Sequence, residues 1–403
     1  MKKLYITAFP GRRDSYQIPV ALSEHGRLAA FATCFYRQRG LLGRLSKQFD
    51  HRHADGLEKT KVGCMEFTNL ASRLGQRIFQ PSRVGVWEDH AFAREALALA
   101  KAHRAGLLLY EFQADWAFCQ PLKHDAAKIL FQFHPHPDLE HPLLLADGAR
   151  YPQFLPGIRR NTRSNLPARY QRHTCGAWQQ ADHVIVASQF TAHSLQVAGC
   201  PPGKISVVPY GCSFVESAAG IRRPSRALDK PYFLFVGSGT HRKGLHHLLE
   251  AWSQCQLLST HELIVIARVV DPELQPVLAA AKSVRHVTGV SGKDLVHWFL
   301  SARALVLPSL SEGFGHVFLE ALACGCPVIG TRNSMLPDFT EAQPHIRYVE
   351  PGDPDSIRAE IERVGTLPSD HVFFGLGVVG QSVKSYTWKR FRDGIEGILK
   401  RFD

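Results

Sequence analysis

The chain has 403 residues, of which 45% are hydrophobic and 21% are charged, and its formal net charge is +12. This length predicts two globular domains, and the composition excludes extensive disorder. The apolar runs are strand-length and too short for a membrane span. The basic excess favours an anionic partner, namely a phosphorylated substrate, a nucleic acid or an anionic membrane surface.

The first residues are expected to form a buried strand. The segment 4–9 is mostly apolar, but Pro10 and the basic pair Arg12-Arg13 follow before a secretory signal would have an adequate apolar core or cleavage site. The protein is therefore expected in the cytoplasm. Nine cysteines without paired metal spacing are expected to be free thiols, as is usual in a reducing compartment.

Strand-like and helix-like segments alternate in the first half of the chain, which is typical of a parallel sheet covered by helices. The predicted helices are 15–24, 91–104 and 190–198, and Ser188 is expected to cap the last of them. The predicted strands are 3–9, 28–33, 107–110, 128–133, 184–187 and 205–209.

Residues 210–231 are rich in Gly, Ser, Pro and Arg, which indicates an interdomain linker. Alternation then resumes and predicts a second doubly wound sheet. Its strands are expected at 232–236, 262–267, 284–288, 304–307 and 327–330, and its helices at 244–254, 271–281, 292–300 and 316–324. The final segment, 382–403, has an amphipathic basic helix pattern that favours either packing across the domains or contact with a membrane.

Two such sheets create a cleft between the carboxyl ends of their strands, where ligands of open sheets bind. At this edge of the second sheet, strand 232–236 runs into Gly237-Ser238-Gly239, and Arg242-Lys243-Gly244 opens the next helix. Glycines allow close backbone approach, and two cations at a helix start suit a diphosphate. The alternative interpretation is a solvated basic turn.

The stretch "PSLSEGFGHVFLEALACGCPVIG", 308–330, places one glutamate in a loop and another in the helix that follows. Glu320 on the helix can accept hydrogen bonds from the two hydroxyls of a ribose. Backbone N–H groups of His316, Val317 and Phe318 can meet a phosphate or hydroxyl oxygen. Glu312 and Glu320 would alternatively form a glycosidase acid/base pair, but the anion-seeking backbone beside them favours a phosphorylated ligand.

His134 and His136 follow a buried strand and precede a proline-containing loop, which is a typical binding location, although most of the 21 histidines are expected at the surface or in structural roles. Together with His141 they lack a regular metal-ligand spacing, so no metal site is expected there. Asp353-Pro354-Asp355 spells a metal motif, but Asp353 as an N-cap before Pro354 at the first helical position explains it better.

The motif from Glu312 to Glu320, with its Gly-Phe-Gly turn and the Ala-Cys-Gly and Pro-Val-Ile that follow, resembles the signature of the retaining glycosyltransferases of family 4, which have the GT-B architecture. Arg242–Gly244 lies at that family's donor-phosphate position. The segments 181–211, 287–309 and 349–357 are also similar to the family, as is the aromatic Tyr386-Thr387-Trp388 near the end. The resemblance is strong over about 181–400 and looser before it.

The resemblance implies a role for each matching residue. Lys243 and Arg242 would neutralise the leaving diphosphate, Glu312 would contact the transferred sugar, and His134 would lie near that sugar. Ser238 stands where many members have an arginine, which Arg242 would replace. The expected donor-binding residues are Glu320, Gly11, Gly239, Gly313, Phe314, Gly315, His316, Val317 and Phe318. Arg12, Arg13 and His136 are assigned to the acceptor side.

The sequence therefore predicts a GT-B enzyme with two doubly wound domains that face each other across a cleft. The expected divisions are an acceptor-binding domain at 1–212, a linker at 213–230, a nucleotide-sugar-binding domain at 231–384 and a C-terminal helix at 385–403. The expected activity is a retaining hexosyl transfer, without metal or cofactor, from a nucleotide-diphosphate sugar to a glycan or lipid-linked acceptor of the cell-surface polysaccharide or lipopolysaccharide type. The resemblance implies that the acceptor hydroxyl attacks the front face of the donor, so that retention needs no enzyme nucleophile.

Two alternatives remain open: a UDP-hexosamine epimerase on the same fold, and a nucleotide-sugar-binding partner subunit without turnover. A nucleic-acid partner is disfavoured, because the basic patches contain no interleaved aromatic residues. A cytoplasmic protein that lies at the inner face of the cell membrane would accommodate the basic charge and a lipid-linked acceptor.

Overall fold

The computed structural model describes residues 2–41, 51–57, 61–79, 81–122, 126–162, 176–217, 229–368, 371–374 and 378–403. Most of the predicted linker, residues 218–228, lies outside the described residues. The described chain forms two parallel-sheet α/β domains, as the alternating pattern predicts.

The first domain is built on a seven-stranded sheet in the order β3-β2-β1-β4-β5-β6-β7. Every neighbouring pair in this sheet is parallel, and most of its strand residues are buried because helices cover both faces. Its strands are β1 (Tyr5–Ala8), β2 (Leu28–Thr33), β3 (Val62–Cys64), β4 (Gly106–Tyr110), β5 (Lys128–Gln132), β6 (His183–Val186) and β7 (Ile205–Val207).

The second domain is built on a six-stranded parallel sheet in the order β10-β9-β8-β11-β12-β13. Strand order reverses beside β8, and such a switch point opens a crevice at the carboxyl ends of the strands. The strands are β8 (Tyr232–Val236), β9 (Glu262–Ile266), β10 (Val284–Val287), β11 (Ala304–Leu307), β12 (Val328–Gly330) and β13 (Ile346–Tyr348).

Helices connect these strands and cover both sheets. In the first domain they are α1 (Gln17–Glu24), α2 (Glu66–Ile78), α3 (Pro81–His103), α4 (Glu111–Phe118), α5 (Pro137–Arg150), α6 (Leu155–Asn161), α7 (Ala177–Gln180) and α8 (Gln189–Val197). After it come α9 (Phe214–Ser217), α10 (Leu245–Ser253), α11 (Gln275–Ala280), α12 (Gly292–Ser301), α13 (His316–Ala323), α14 (Pro354–Thr366), α15 (Val378–Gln381) and α16 (Trp388–Leu399).

Short 3₁₀ turns join several of these elements. Their bounds are Arg13–Tyr16, Pro152–Phe154, Pro202–Lys204, His241–Lys243, Gln256–Ser259, Leu336–Asp338, Thr340–His345, Val372–Phe374 and Lys400–Phe402.

The sequence pattern located the buried strands well, because a continuous apolar run of strand length is a strong signal. The predictions 28–33, 232–236 and 304–307 are confirmed to the residue. Both predicted caps are confirmed as well: Ser188 accepts the Thr191 N–H at 3.1 Å, and Asp353 accepts the N–H groups of Asp355 and Ser356. The cysteines of the described residues are free, as expected.

Two predicted helix starts are wrong by more than two residues. Helix α3 begins at Pro81, ten residues before the predicted start at 91, because proline is favoured in the first helical turn. Helix α11 begins only at Gln275, not at 271, since Pro276 within its first turn marks the start. The pattern also missed β3, α4, α5 and α6, which have short or mixed apolar patterns, and α2, although its apolar residues recur at helical spacing.

The C-terminal helix α16 packs onto the first domain, although it directly follows the second domain in the chain. The ring of Phe391 lies 5.2 Å from that of Tyr210 and 6.0 Å from that of Phe131. The guanidinium of Arg27, which is fully buried, donates to both oxygens of Glu396 and to both oxygens of Asp403. The chain therefore returns to its first domain and ties the two domains together.

Among the described residues, no helix combines the length and the apolar character that crossing a membrane requires.

We expect Arg27→Ala to destabilise the protein by about 3–5 kcal/mol, because it leaves the buried Glu396 carboxylate without its cation. Arg285→Ala removes an exposed pair with Glu262 and should cost no more than about 1 kcal/mol. Denaturant unfolding of both variants measures the difference. Equal losses for the two variants would contradict a structural role for the Arg27 network.

Candidate active site at the domain cleft

The turn that follows β8 presents two cations to the cleft. Residues 241–243 form one 3₁₀ turn, and Gly244 after it has φ +69°, a left-handed conformation that glycine adopts without strain. A Cβ at Gly244 would overlap the carbonyl oxygen of Pro308. The carbonyl of Arg242 accepts the Leu310 N–H at 2.9 Å, so this turn and the loop after β11 are held side by side.

Arg242, Lys243 and Glu312 form a charge cluster where these two loops meet. The Lys243 ammonium contacts Glu312 Oε2, and Arg242 Nη1 lies 3.4 Å from the same oxygen while it donates to the Ser311 carbonyl at 2.8 Å. Burial alone would raise the pKa of Glu312, but the two cations outweigh it and lower the pKa to about 2. Burial lowers the pKa of Lys243, and the Glu312 carboxylate opposes that shift. Glu312 is therefore ionised at neutral pH.

The Gly-Phe-Gly turn after Glu312 contacts the first domain directly. The carbonyl of Gly313 accepts hydrogen bonds from the hydroxyls of Ser188 and Thr191, the second at 3.1 Å. A Cβ at Gly313 would overlap the carbonyl oxygen of Phe133, so only glycine permits this approach. Phe314 is buried against Tyr210, with ring centroids 5.1 Å apart.

His134 faces the charge cluster from the first domain and is held by a residue that the sequence analysis missed. Its Nδ1 lies 2.5 Å from Glu111 Oε1, and its backbone N–H donates to Glu111 Oε2 at 3.2 Å. Glu111 is buried, whereas the His134 side chain is 40% exposed. The signal was present, because Glu111 directly follows the predicted strand 107–110 and so lies at its carboxyl end.

A cavity of about 130 Å³ is lined by residues of both domains. His134, Glu111 and Arg242 all line it, together with the polar side chains of Gln132 and Glu140. The structure thus brings together the four residues that the sequence assigned to catalysis, since Arg242 is bonded to Glu312 and Glu312 to Lys243.

Glu320 lines a second cavity, of about 450 Å³, together with Arg12, Arg13 and His316. Burial raises the pKa of Glu320, with His316 acting in the opposite direction. The guanidinium of Arg13 lies over the ring of Phe133, 3.5 Å from its centroid. Arg12 and Arg13 therefore share a cavity with Glu320, which was assigned to the donor. Neither arginine lines the smaller cavity that contains His134 and Arg242.

The loop that carries these arginines is strained. Gly11 has no exceptional conformation, but Asp14, Ser15 and Tyr16 have φ of +48°, +51° and +65°. Left-handed conformations of such residues cost on the order of 1 kcal/mol or more each and often occur at functional sites. Asp14 compensates by accepting the Tyr210 hydroxyl at 2.9 Å, and its other oxygen lies 3.9 Å from His316 Nε2. No motif in the sequence singles out Asp14.

Three residues assigned to ligand contacts have other hydrogen-bond partners in this structure. The N–H of Gly239 donates to the Val269 carbonyl. The N–H of Phe318, which was expected to meet a phosphate or hydroxyl oxygen, donates to the Gly315 carbonyl, and the N–H groups of His316 and Val317 lie at the helix start as expected. His136 was expected on the acceptor side. It is buried, its ring caps α5 by accepting the Asp138 N–H, and its own N–H donates to Ser194.

A buried cluster of three histidines and one aspartate forms a further contact between the domains. Asp147 of α5 lies 2.5 Å from His241 Nε2, 3.0 Å from His246 Nε2 and 2.7 Å from His247 Nε2. Burial alone would raise the pKa of Asp147, but hydrogen bonds from the three rings lower it strongly. Burial also lowers the pKa of His246, to about 3. The cluster therefore contains one carboxylate and a neutral His246 at pH 7.

Comparison with known proteins identifies the second domain. Residues 219–372 match the family model described as "Glycosyl transferases group 1". The D-inositol 3-phosphate glycosyltransferase of Acidothermus cellulolyticus is 26% identical over 266 residues, which cover 61% of this chain and 56% of that protein. The first curated relatives are matched over only 34 to 56% of their own length.

Solved structures match the whole chain. Sucrose-phosphate synthase from Thermosynechococcus elongatus has a TM-score of 0.70 at 16% identity, covering 100% of this chain and 99% of that chain. The Anabaena protein HepE in complex with UDP has a TM-score of 0.61 at 13% identity, covering all of both chains. These structures are GT-B glycosyltransferases, so the fold of this chain is GT-B.

We expect the protein to lose stability as the pH falls from about 6.5 towards about 3. His246 has a pKa of about 3 in the folded protein and about 6.5 when unfolded, so in this range only the unfolded chain takes up the proton. This group alone contributes a slope of about 1.4 kcal/mol per pH unit. The lowered pKa of Asp147 adds to this loss as the pH falls below about 4, the ordinary pKa of an aspartate.

Denaturant unfolding of the wild type and of His246→Gln at several pH values between about 7 and about 5 tests this slope. Glutamine cannot titrate, so the variant should show a flatter pH dependence. Parallel curves for the two proteins would show that His246 is not the group responsible.

Proposed function

We propose, from the glycosyl transferases group 1 match at residues 219–372 and the GT-B fold of the whole chain, that this protein is a retaining hexosyltransferase. Its donor is a nucleotide-diphosphate sugar, and its acceptor is a hydroxyl of a glycan or a lipid-linked glycan. The observation that carries the proposal is the charge cluster, in which two cations and an ionised carboxylate meet a histidine of the opposite domain.

The cations are suited to stabilise the leaving diphosphate. In the structure they are paired with Glu312. An arriving diphosphate carries more negative charge than one carboxylate, so it can share both cations and bring its sugar next to Glu312. Charge that develops on the leaving oxygen is then stabilised by groups already in place, which is the most effective form of electrostatic catalysis.

Glu312 acts as an ionised contact to the sugar and not as an acid. A carboxyl with a pKa of about 2 holds no proton at neutral pH and is also a weak base. A glycosidase acid/base pair needs one carboxyl with a raised pKa beside the scissile bond. Glu320 has the raised pKa, but it lines the other cavity, where it suits the ribose hydroxyls of a nucleotide.

The transfer proceeds by front-face substitution. The bond from the anomeric carbon to the phosphate oxygen breaks, the acceptor oxygen bonds to the same face of that carbon, and the acceptor's proton passes to the departing phosphate oxygen. This balance needs no metal, because Lys243 and Arg242 supply the charge compensation. His134, oriented by Glu111, binds the sugar at the mouth of the small cavity.

The acceptor is expected to be anionic or lipid-linked. The chain's net charge of +12 would draw such molecules, and an anionic membrane surface, towards it. The D-inositol 3-phosphate glycosyltransferase among its relatives is named for a phosphorylated acceptor. That name supports an anionic acceptor for this chain without identifying it.

We expect selective binding of one family of nucleotide sugars in calorimetric titrations with UDP-, GDP- and ADP-sugars in the presence of a chelator. Lys243→Ala and Glu320→Ala should each weaken binding by tenfold or more, since each loses a charged hydrogen bond worth about 1.5–3 kcal/mol. Lys389→Ala removes a largely exposed lysine of α16 and serves as the control.

No binding, or equal binding by all variants, would refute the donor site. Conversion of the free nucleotide sugar without any acceptor would identify the epimerase instead. Binding without turnover of any acceptor in a broad panel would favour the partner subunit.

We expect Glu111→Ala to lower kcat by about tenfold or more while the KM for the donor stays within about twofold, because Glu111 acts by orienting His134. Glu111→Gln retains an oxygen that accepts the imidazole N–H and should restore part of the rate. Steady-state kinetics with the identified donor and acceptor measure both. A change confined to KM, or no recovery with glutamine, would contradict a positioning role.

A further inference from the structure

Helix α2 is oriented with its apolar face towards solvent. Phe67, Leu70, Leu74 and Ile78 repeat at spacings of three and four residues, which places them on one side of the helix. Their exposed fractions are 79%, 50%, 52% and 75%. A helix at the surface of a globular domain normally buries such a stripe.

The opposite side of α2, which packs on the domain, is polar. Ser72 and Glu66 are buried, and Glu66 accepts the N–H of Leu41 at 2.8 Å. Asn69 donates to Glu88 of α3 at 3.5 Å. The inward side is therefore held by polar contacts, and burial of apolar area cannot explain why these apolar residues share the outer side.

The apolar surface continues beyond α2. Phe79 is 63% exposed directly after the helix, and Trp87 of α3 is 46% exposed. Contiguous exposed apolar surface of this kind marks an interaction site. A leucine and isoleucine stripe with an aromatic residue near each end is typical of a helix that lies in a membrane interface.

The segment that forms this surface carries only positive charge. Residues 67–87 contain no aspartate or glutamate, and their three arginines are Arg73, Arg77 and Arg83. All three are exposed. Anionic lipid headgroups attract such arginines while the apolar side chains enter the acyl boundary. A second copy of the chain fits less well, because a twofold contact through α2 would bring Arg73 and Arg77 of both copies together.

We propose that the outer face of α2, formed by Phe67, Leu70, Leu74, Ile78 and Phe79 with Arg73 and Arg77, docks the first domain on an anionic lipid bilayer. Helix α2 begins at the carboxyl end of β3, which is the cleft edge of the parallel sheet. Docking through α2 therefore brings the bilayer to the domain that holds His134 and Glu111. Docking itself does not depend on the proposed function, and it gives that function a route to a lipid-linked acceptor.

Sedimentation with vesicles tests this surface. The full chain should bind vesicles of phosphatidylglycerol and phosphatidylcholine and bind pure phosphatidylcholine vesicles much more weakly. The double variant Leu70→Ser/Leu74→Ser should lose tenfold or more in affinity, since each leucine gains about 1.5–3 kcal/mol when it is buried. Arg73→Gln and Arg77→Gln should each lose about fivefold on the anionic vesicles.

Val197→Ser is the matched control, because Val197 lies on α8 of the same domain and is 51% exposed. It should bind vesicles like the wild type. Thermal unfolding and nucleotide-sugar binding should be unchanged in all of these variants, which separates a loss of docking from a loss of folding or of the donor site.

Equal vesicle binding by the wild type and the leucine variant would overturn the proposal, as would no binding by either. A concentration-dependent dimer that the leucine variant abolishes would also overturn it, since the face would then be a protein interface. Donor binding that fails while vesicle binding holds would refute the proposed function and leave the docking face intact.

Discussion

The contact between the two domains depends on neutralising the charges that it removes from water. Isolated ionised side chains are too costly to bury, and three carboxylates among the described residues of this contact have partners. Glu312 has Lys243 and Arg242, Asp147 has three imidazoles, and Asp14 has the Tyr210 hydroxyl. The first of these sets supplies cations for a leaving diphosphate, so the same electrostatic balance supports both the fold and the proposed chemistry.

Close backbone approach is the second condition for the site. Gly244 and Gly313 lie where any Cβ would overlap a carbonyl oxygen, one within the second domain and one across the cleft. Because the Gly313 carbonyl accepts hydrogen bonds from Ser188 and Thr191, the loop that carries Glu312 is fixed relative to β5 and His134. The position of the reacting groups therefore depends on two glycines that perform no chemistry themselves.

The two amphipathic helices α16 and α2 place their apolar sides in opposite environments. Helix α16 buries Phe391 on the first domain and satisfies Arg27 through Glu396. Helix α2 directs its apolar side outwards. A sequence pattern states that a helix has two unlike sides, but the packing of the whole domain decides which side is exposed.

The sequence by itself determined the buried strands, the two caps and the strand-end motifs, because each depends on a local run of residue types. Strand 304–307 is observed where the pattern predicts it, and the Arg242-Lys243 pair lies in the turn before helix α10. The tertiary structure alone decided that Glu111 holds His134, that the Gly239 N–H donates to Val269, and that His136 caps a helix. Each of these outcomes depends on which groups from distant parts of the chain become neighbours. Local periodicity carries no information on that, because hydrogen bonds and ion pairs form with whatever partner the packing of the sheets and helices brings within reach.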